Sequence, residues 1–374
     1  MRKPTITYCG NVHPAATLDE WLGVLAGPSA RVARASREPG AVFPLGVWWT
    51  AATAATLARD ASARERVRAA LERERLRIAT LNVFPYGGFH DAVVKAAVYR
   101  PDWADDRRLR FTLDAARAVA AFAKPGDCIP LSTLPLGFGA GDLGVMAEQL
   151  RVVGRELARL EAETGVRCVL ALEPEPDCLL ERVSEAAGFL DLRVMTGRDD
   201  EALLRRHLGV CVDLCHLAVV GEDAAEAFEA LDAHGVEPAK VQVSSCLELR
   251  DGRELDRLLA FDEPRYLHQT VADSGRLRAL DLDEVRERRD EFATARRIRT
   301  HFHVPVFWDD PGVLGSTQAE LRCALRVLPA DLALLEVETY TWSVLGRQWT
   351  EGDDFVAGIV RELAWLREES GSLP

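Results

Sequence analysis

Two spacings of apolar residues alternate along the chain. Short runs that are apolar at successive positions, not at every second one, read as strands buried on both faces, as in a parallel sheet. They fall at residues 5–9, 43–49, 78–84, 128–134, 166–172, 207–214, 240–244, 300–307 and 333–339. Between them lie longer stretches with apolar positions three and four residues apart, the mark of amphipathic helices. These cover 51–76, 107–123, 142–163, 181–195, 224–234, 253–261, 282–298 and 318–327, and a last one at 355–368 closes the barrel. Thr17-Leu18-Asp19-Glu20 reads as a capped helix start, Thr17 capping and Glu20 answering three residues on. The pattern at 51–76 has a candidate break near Asp60.

Repeated βα units imply a parallel sheet, either doubly wound or closed as a (β/α)8 TIM barrel. No GxGxxG turn or P-loop is present, and polar groups end many different strands. That favours the barrel, whose site is built at the C-terminal ends of its strands. Nine strand candidates compete for eight places, so either 241–244 or 300–307 belongs to an elaborated loop. No linker breaks the pattern, which reads as one domain over residues 1–374.

The net charge of -13, with no dense basic patch, argues against nucleic acid as a partner. No apolar run is long enough to span a membrane, and the basic start at Met1-Arg2-Lys3 leads into a strand, not a targeting segment. Eight cysteines without a CxxC pair read as reduced thiols of a cytoplasmic protein.

The candidate chemistry lies at strand ends. Glu173 follows an apolar run and is held between it and Pro174, with Glu175 two residues on. Asp213 and His216 form a D-x-x-H pair where a buried strand turns and can reach one ligand together; a helix cap is the competing role for Asp213. His301 and His303 share a strand face, as do Glu336 and Glu338. Glu338 lies nearer the strand end and is the preferred ligand, with Glu336 one layer deeper. Gln242 could hold substrate or donate an oxygen. Such a set suits a divalent ion (manganese, zinc, iron or cobalt) that polarises a sugar carbonyl and hydroxyl while a glutamate moves a proton.

The series Glu173, Asp213-x-x-His216, His303 and Glu338 resembles the xylose isomerase-like TIM-barrel superfamily of sugar-phosphate isomerases and epimerases. More specifically, Thr7-Tyr8-Cys9-x-Asn11-x-His13-Pro14, Asn82-x-Phe84-Pro85-Tyr86-Gly87-x-Phe89-His90, Tyr99-Arg100-Pro101-x-Trp103, Ser132-Thr133-Leu134-Pro135, His301-Phe302-His303-Val304-Pro305-Val306 and the run 335–342 resemble the EboE family of metabolite traffic proteins. The resemblance implies a TIM barrel and a role in making or moving a secondary metabolite. It implies metal ligation by Glu173, Asp213, His303 and Glu338, with Glu173 and Glu338 as the acid/base pair. His216, His13, Asn82, Tyr86, His90, His301, Glu336 and Lys95 join Gln242 as candidate contacts to a small polyhydroxylated metabolite. One departure stands out. Many superfamily members carry a ligand histidine where Gln242 stands, so His303 takes that role, or Gln242 does, or the site holds no metal. The expected function is thus a metal-dependent sugar or cyclitol isomerase or epimerase, phosphorylated substrates included. The rival is a non-catalytic barrel that binds and hands on a metabolite among other proteins of its pathway. A metal-dependent hydrolase is a distant third.

Overall fold

The computed structural model describes residues 3–345 and 355–371; Met1 and Arg2 of the basic start lie outside them. Among the described residues there are thirteen strands: β1 (Thr5–Tyr8), β2 (Phe43–Trp48), β3 (Leu76–Asn82), β4 (Cys128–Thr133), β5 (Arg167–Leu172), β6 (Leu208–Asp213), β7 (Glu237–Val243), β8 (Ser245–Leu249), β9 (Thr270–Ala272), β10 (Leu277–Ala279), β11 (Ile298–Val304), β12 (Leu314–Ser316) and β13 (Leu334–Val337).

Strands β1 to β7 and β13 form one parallel sheet in chain order, with β13 between β7 and β1. A parallel bridge from Cys9 to Gly46, and Thr7 Oγ1 accepting from the Gly46 amide at 3.0 Å, bring β1 back to β2 and close the barrel. The fold is therefore the expected (β/α)8 barrel. Leucine, valine and aromatic side chains facing outward form the main core beneath the helices. Val169, Ala171, Cys211 and Ala239 form a separate small cluster inside the barrel.

Local signals placed many helix ends. Thr17 and Glu20 make the capping box, and Asp60 caps Ala61–Glu74, breaking the 51–76 pattern as anticipated.

The ninth strand candidate resolves in favour of 241–244, which belongs to the barrel as part of β7. The run at 300–307 becomes β11 in a second, antiparallel sheet ordered β10-β9-β11-β8-β12. All five strands of this sheet lie within the β7-to-β13 connection, together with helices Leu255–Leu259, Leu282–Glu287, Arg289–Phe292 and Gln318–Arg326. Only Ser244 separates β7 from β8, so the chain runs straight from the barrel's C-terminal rim into the inserted sheet. The single helix expected at 282–298 is corrected: helices Leu282–Glu287 and Arg289–Phe292 are followed by Ile298, already in β11. Arg288 leaves helical geometry between them and donates to the Arg278 carbonyl at 2.6 Å. Ile298 and Arg299 pair with β8 on one side and β9 on the other, and ladder bonds on both sides override helical spacing.

Candidate metal centre

Glu173 follows β5, and its amide donates to the Thr133 carbonyl at 2.9 Å, which extends the ladder and aims the side chain over the barrel mouth. Asp213 ends β6 and caps helix Leu214–Val220: Oδ1 accepts from the amides of Cys215 and His216 and from Ser244 Oγ at 2.7 Å. Capping and site-facing roles thus coexist, because the cap uses one oxygen and leaves Oδ2 free. Glu338 follows β13, its amide bonded to the Val243 carbonyl and its Oε1 accepting from Asn11 Nδ2 at 2.8 Å.

His303 reaches the same place from the inserted sheet. A β-bulge between Thr300 and His303 re-aims this end of β11. His303 Nδ1 lies 2.7 Å from the Glu338 carbonyl, and since a carbonyl can only accept, Nδ1 carries the proton and Nε2 presents a lone pair.

Donor atoms of Glu173, Asp213 and Glu338 lie within 4.8 Å of one another, as do those of Asp213, His216 and His303. Glu173 Oε2, Asp213 Oδ2 and His303 Nε2 are buried with no hydrogen-bond partner in the protein. Buried polar atoms are rarely left so. Two overlapping triads that share Asp213 and carry three unpartnered ligand atoms fit a divalent cation.

The electrostatics agree. Burial pushes the Glu173 carboxyl up to about 8, with Asp213 and Glu175 adding to the rise against His216 and Lys240. Glu338 is raised well above the usual range by burial and by Glu173 and Asp213. Asp213 stays below its ordinary value: burial opposes its charge, but His216, His303 and its three donors outweigh burial. Burial holds His303 down at about 4, neutral and able to ligate.

Beside this cluster, His216 Nδ1 donates to the Pro174 carbonyl at 2.7 Å and His301 Nδ1 to Gln269 Oε1 at 2.9 Å. Their Nε2 atoms meet at 3.1 Å, a contact that needs a proton between two lone pairs. Burial works against a charge on His216, yet Asp213, Glu175 and Glu173 raise its affinity for that proton. Glu175 accepts from Tyr99 Oη at 2.7 Å, and Tyr99 accepts from Gln269 at 2.9 Å.

Glu173, His216, His301, His303, Glu338, Asn82 and Lys95 line one cleft, with Asp213 beneath it. The other candidates sit elsewhere. Glu336 is sealed inside the barrel, 2.5 Å from Lys240 Nζ. Gln242 lies beside it, accepting from Cys211 Sγ at 3.3 Å. His13 packs on Tyr8 and Phe355. Tyr86 packs on Phe111 near Arg108. His90 stands behind Asn11, its Nε2 2.6 Å from the Asn11 carbonyl. Asn11, Ser244 and Lys240 take part in the site without having been singled out as site residues from the sequence. Alternation along β7 puts Lys240 on the face of Gln242, which is the signal that could have found it; Gln269, on a loop, offers no such signal.

A ring of carboxylates and imidazoles at the C-terminal mouth of a parallel eight-stranded barrel defines a TIM-barrel protein with a metal-type donor set. No protein-family model and no curated protein sequence matches the chain. Among solved structures, the chain is similar to the IOLI protein with a binding zinc atom (TM-score 0.52, 10% identity, 99% of each chain covered). It is also similar to D-allulose 3-epimerase from Methylomonas sp. in complex with D-allulose (TM-score 0.51, 10% identity, 99% of this chain and 98% of that one). The likeness is one of fold, the (β/α)8 barrel with its helices.

Proposed function

We propose that this protein is a divalent-metal-dependent isomerase or epimerase of a polyhydroxylated, sugar- or cyclitol-like substrate. The observation that carries the proposal is a pair of buried triads that share Asp213, Glu173–Asp213–Glu338 and Asp213–His216–His303, in which Glu173 Oε2, Asp213 Oδ2 and His303 Nε2 have no hydrogen-bond partner. These four side chains would hold the ion, which when bound would polarise a carbonyl and its neighbouring hydroxyl. Glu173 and Glu338 stand on different strands, β5 and β13, on either side of Asp213 on β6. Each has a raised proton affinity, which suits removing a proton from one carbon and returning it. His216, held by Pro174, would bind a substrate hydroxyl through Nε2, exchanging its contact with His301 for it. Asn11 fixes the rotamer of Glu338.

The EboE-like runs supply working parts of this site: Asn11 holds Glu338, and Tyr99 holds Glu175. They support a place in secondary-metabolite biosynthesis or traffic, with other proteins of that pathway as partners. The rival reading, binding and transfer without turnover, draws on His303 coming from an inserted sheet and not from a barrel strand. Elemental analysis of the purified protein and of Glu173→Gln and Asp213→Asn tests the proposal. About one bound equivalent of manganese, zinc, iron or cobalt, lost in both variants, supports it. A wild type that takes up no metal on reconstitution refutes it and leaves the transfer reading. Deuterium exchange from D2O into a turned-over ketose would separate catalysis from binding.

A further inference from the structure

The cleft over the metal-type cluster has two unlike halves. Its floor is polar and acidic, with Glu173, Glu175 and Glu338 among the side chains that line it. Its wall is built by Phe84, Phe89, Val98, Tyr266, Leu267 and Tyr340. These come from the loop after β3, the segment before β9 and the turn after β13. The rings form a continuous surface: Phe89 to Tyr266 is 5.3 Å between centroids, Tyr266 to Tyr340 is 4.8 Å, and Tyr340 to His303 is 4.7 Å. They meet edge-on or tilted, at 42° to 75°, so they shape a pocket and not a flat platform for one sugar ring. Val98 and Leu267 offer neither a ring face nor a hydrogen bond. Hydroxyl groups placed against Val98 and Leu267 would lose water without gaining a partner there.

Charge at the mouth points the same way. Among the described residues no arginine lines the cleft, and its one lysine is Lys95. Lys95 Nζ is bonded to Asp281 at 2.6 Å and to the Glu263 carbonyl at 3.4 Å. The cleft therefore has no uncommitted lysine or arginine to meet a phosphate. The enclosed part of the cleft is small, about 60 Å³, and the rest is open to solvent, so an arm lying along the wall would run outward from the cluster.

We propose that the substrate is uncharged and amphipathic, with a polyhydroxylated head on the Glu173–Asp213–His303–Glu338 cluster and an apolar arm along the wall. Sugar phosphates are excluded. The position of the head rests on the function proposed above; the arm rests on the wall alone.

The test uses the full-length, metal-reconstituted protein and the neutral fluorophore N-phenyl-1-naphthylamine. The expected result is one saturable site, weakened about tenfold or more in Leu267→Ser and Val98→Ser. Both side chains are half-buried, so folding tolerates the changes. Phenyl β-D-glucopyranoside should displace the probe at about a tenth of the concentration needed with D-glucose or less, and glucose 6-phosphate should be no better than glucose. No saturable uptake, uptake unchanged in both variants, or tighter competition by glucose 6-phosphate than by glucose would overturn the inference. Metal content measured on the same samples keeps the two proposals apart. Probe binding without metal would sink the isomerase reading and leave the apolar arm, and metal without probe binding would do the reverse.

Discussion

Replacing Lys240 by methionine isolates the charge balance beneath the site. Lys240 Nζ lies 2.5 Å from Glu336 Oε2, with side-chain exposures of 0% and 1%. Methionine keeps the length and removes the charge. Glu336 is then left as an uncompensated buried carboxylate, with Glu338 close by. Breaking such a pair from one side costs about 3–5 kcal/mol. With an unfolding entropy of about 2.1 cal/mol/K per residue, a chain of 374 residues carries about 0.8 kcal/mol/K. A loss of about 4 kcal/mol therefore lowers Tm by about 5 °C. Calorimetry on chelator-treated protein reads this directly. Added metal should narrow the deficit, because removing a cation from beneath Glu173 and Glu338 makes that cluster more attractive to a divalent ion. In Lys240→Met with Glu336→Leu no charge is stranded, and most of the loss should return. A single variant as stable as wild type, or a double variant no better than the single, would refute the reasoning.

Three further outcomes follow from particular contacts. A Cβ on Gly46 would lie 1.9 Å from Glu336 Oε1 and 2.6 Å from the Tyr8 carbonyl. Gly46→Ala should cost about 3 kcal/mol or more by denaturant unfolding, and a neutral change would show that the barrel seam is looser than drawn. Buried Glu362, pushed up to about 7 by burial against its three donors, accepts from Thr339 Oγ1, the Val306 amide and Trp342 Nε1. Glu362→Gln turns an amide NH2 toward one of those donors, and a loss of about 1–3 kcal/mol in urea is expected, with no loss counting against the network. Asp281 is held down at about 2, where burial is outweighed by His268 and Lys95. Its unfolded value is about 3.9, so its contribution is present above about pH 4 and disappears as pH falls through about 2. Asp281→Asn should lose about 1–2 kcal/mol at neutral pH and flatten the stability profile between about pH 4 and 2, and an unchanged profile would contradict the assignment.

The barrel was legible because each of its eight strands is buried on one side by helices and on the other by its neighbours across the barrel. That environment writes an unbroken apolar run into the chain, and the helices between carry their own period and caps. Glu173, Asp213 and Glu338 could be picked out for the same reason: a carboxylate directly after such a run has few directions to point except over the mouth. Chain pattern alone also located the break at Asp60, since a capping side chain acts within three residues of itself.

Four things needed the tertiary structure. Strands β9, β10 and β12 are three residues each, too short for any period to show, and they exist because ladder partners satisfy their backbone, distant β11 for β9 and β8 for β12, and β9 in turn for β10. The place of 300–307 outside the barrel was undecided for the same reason, since its apolar run looks alike in either sheet. Which of two equivalent glutamates meets the cleft turned on depth: Glu336 lies one layer inside, where Lys240 from β7 neutralises it, and Glu338 clears the rim. His303 joins three side chains from β5, β6 and β13 only because a bulge and a cross-chain bond to the Glu338 carbonyl turn its ring. One-dimensional pattern records what each residue must bury, and the site depends on which distant residues share the same few ångströms.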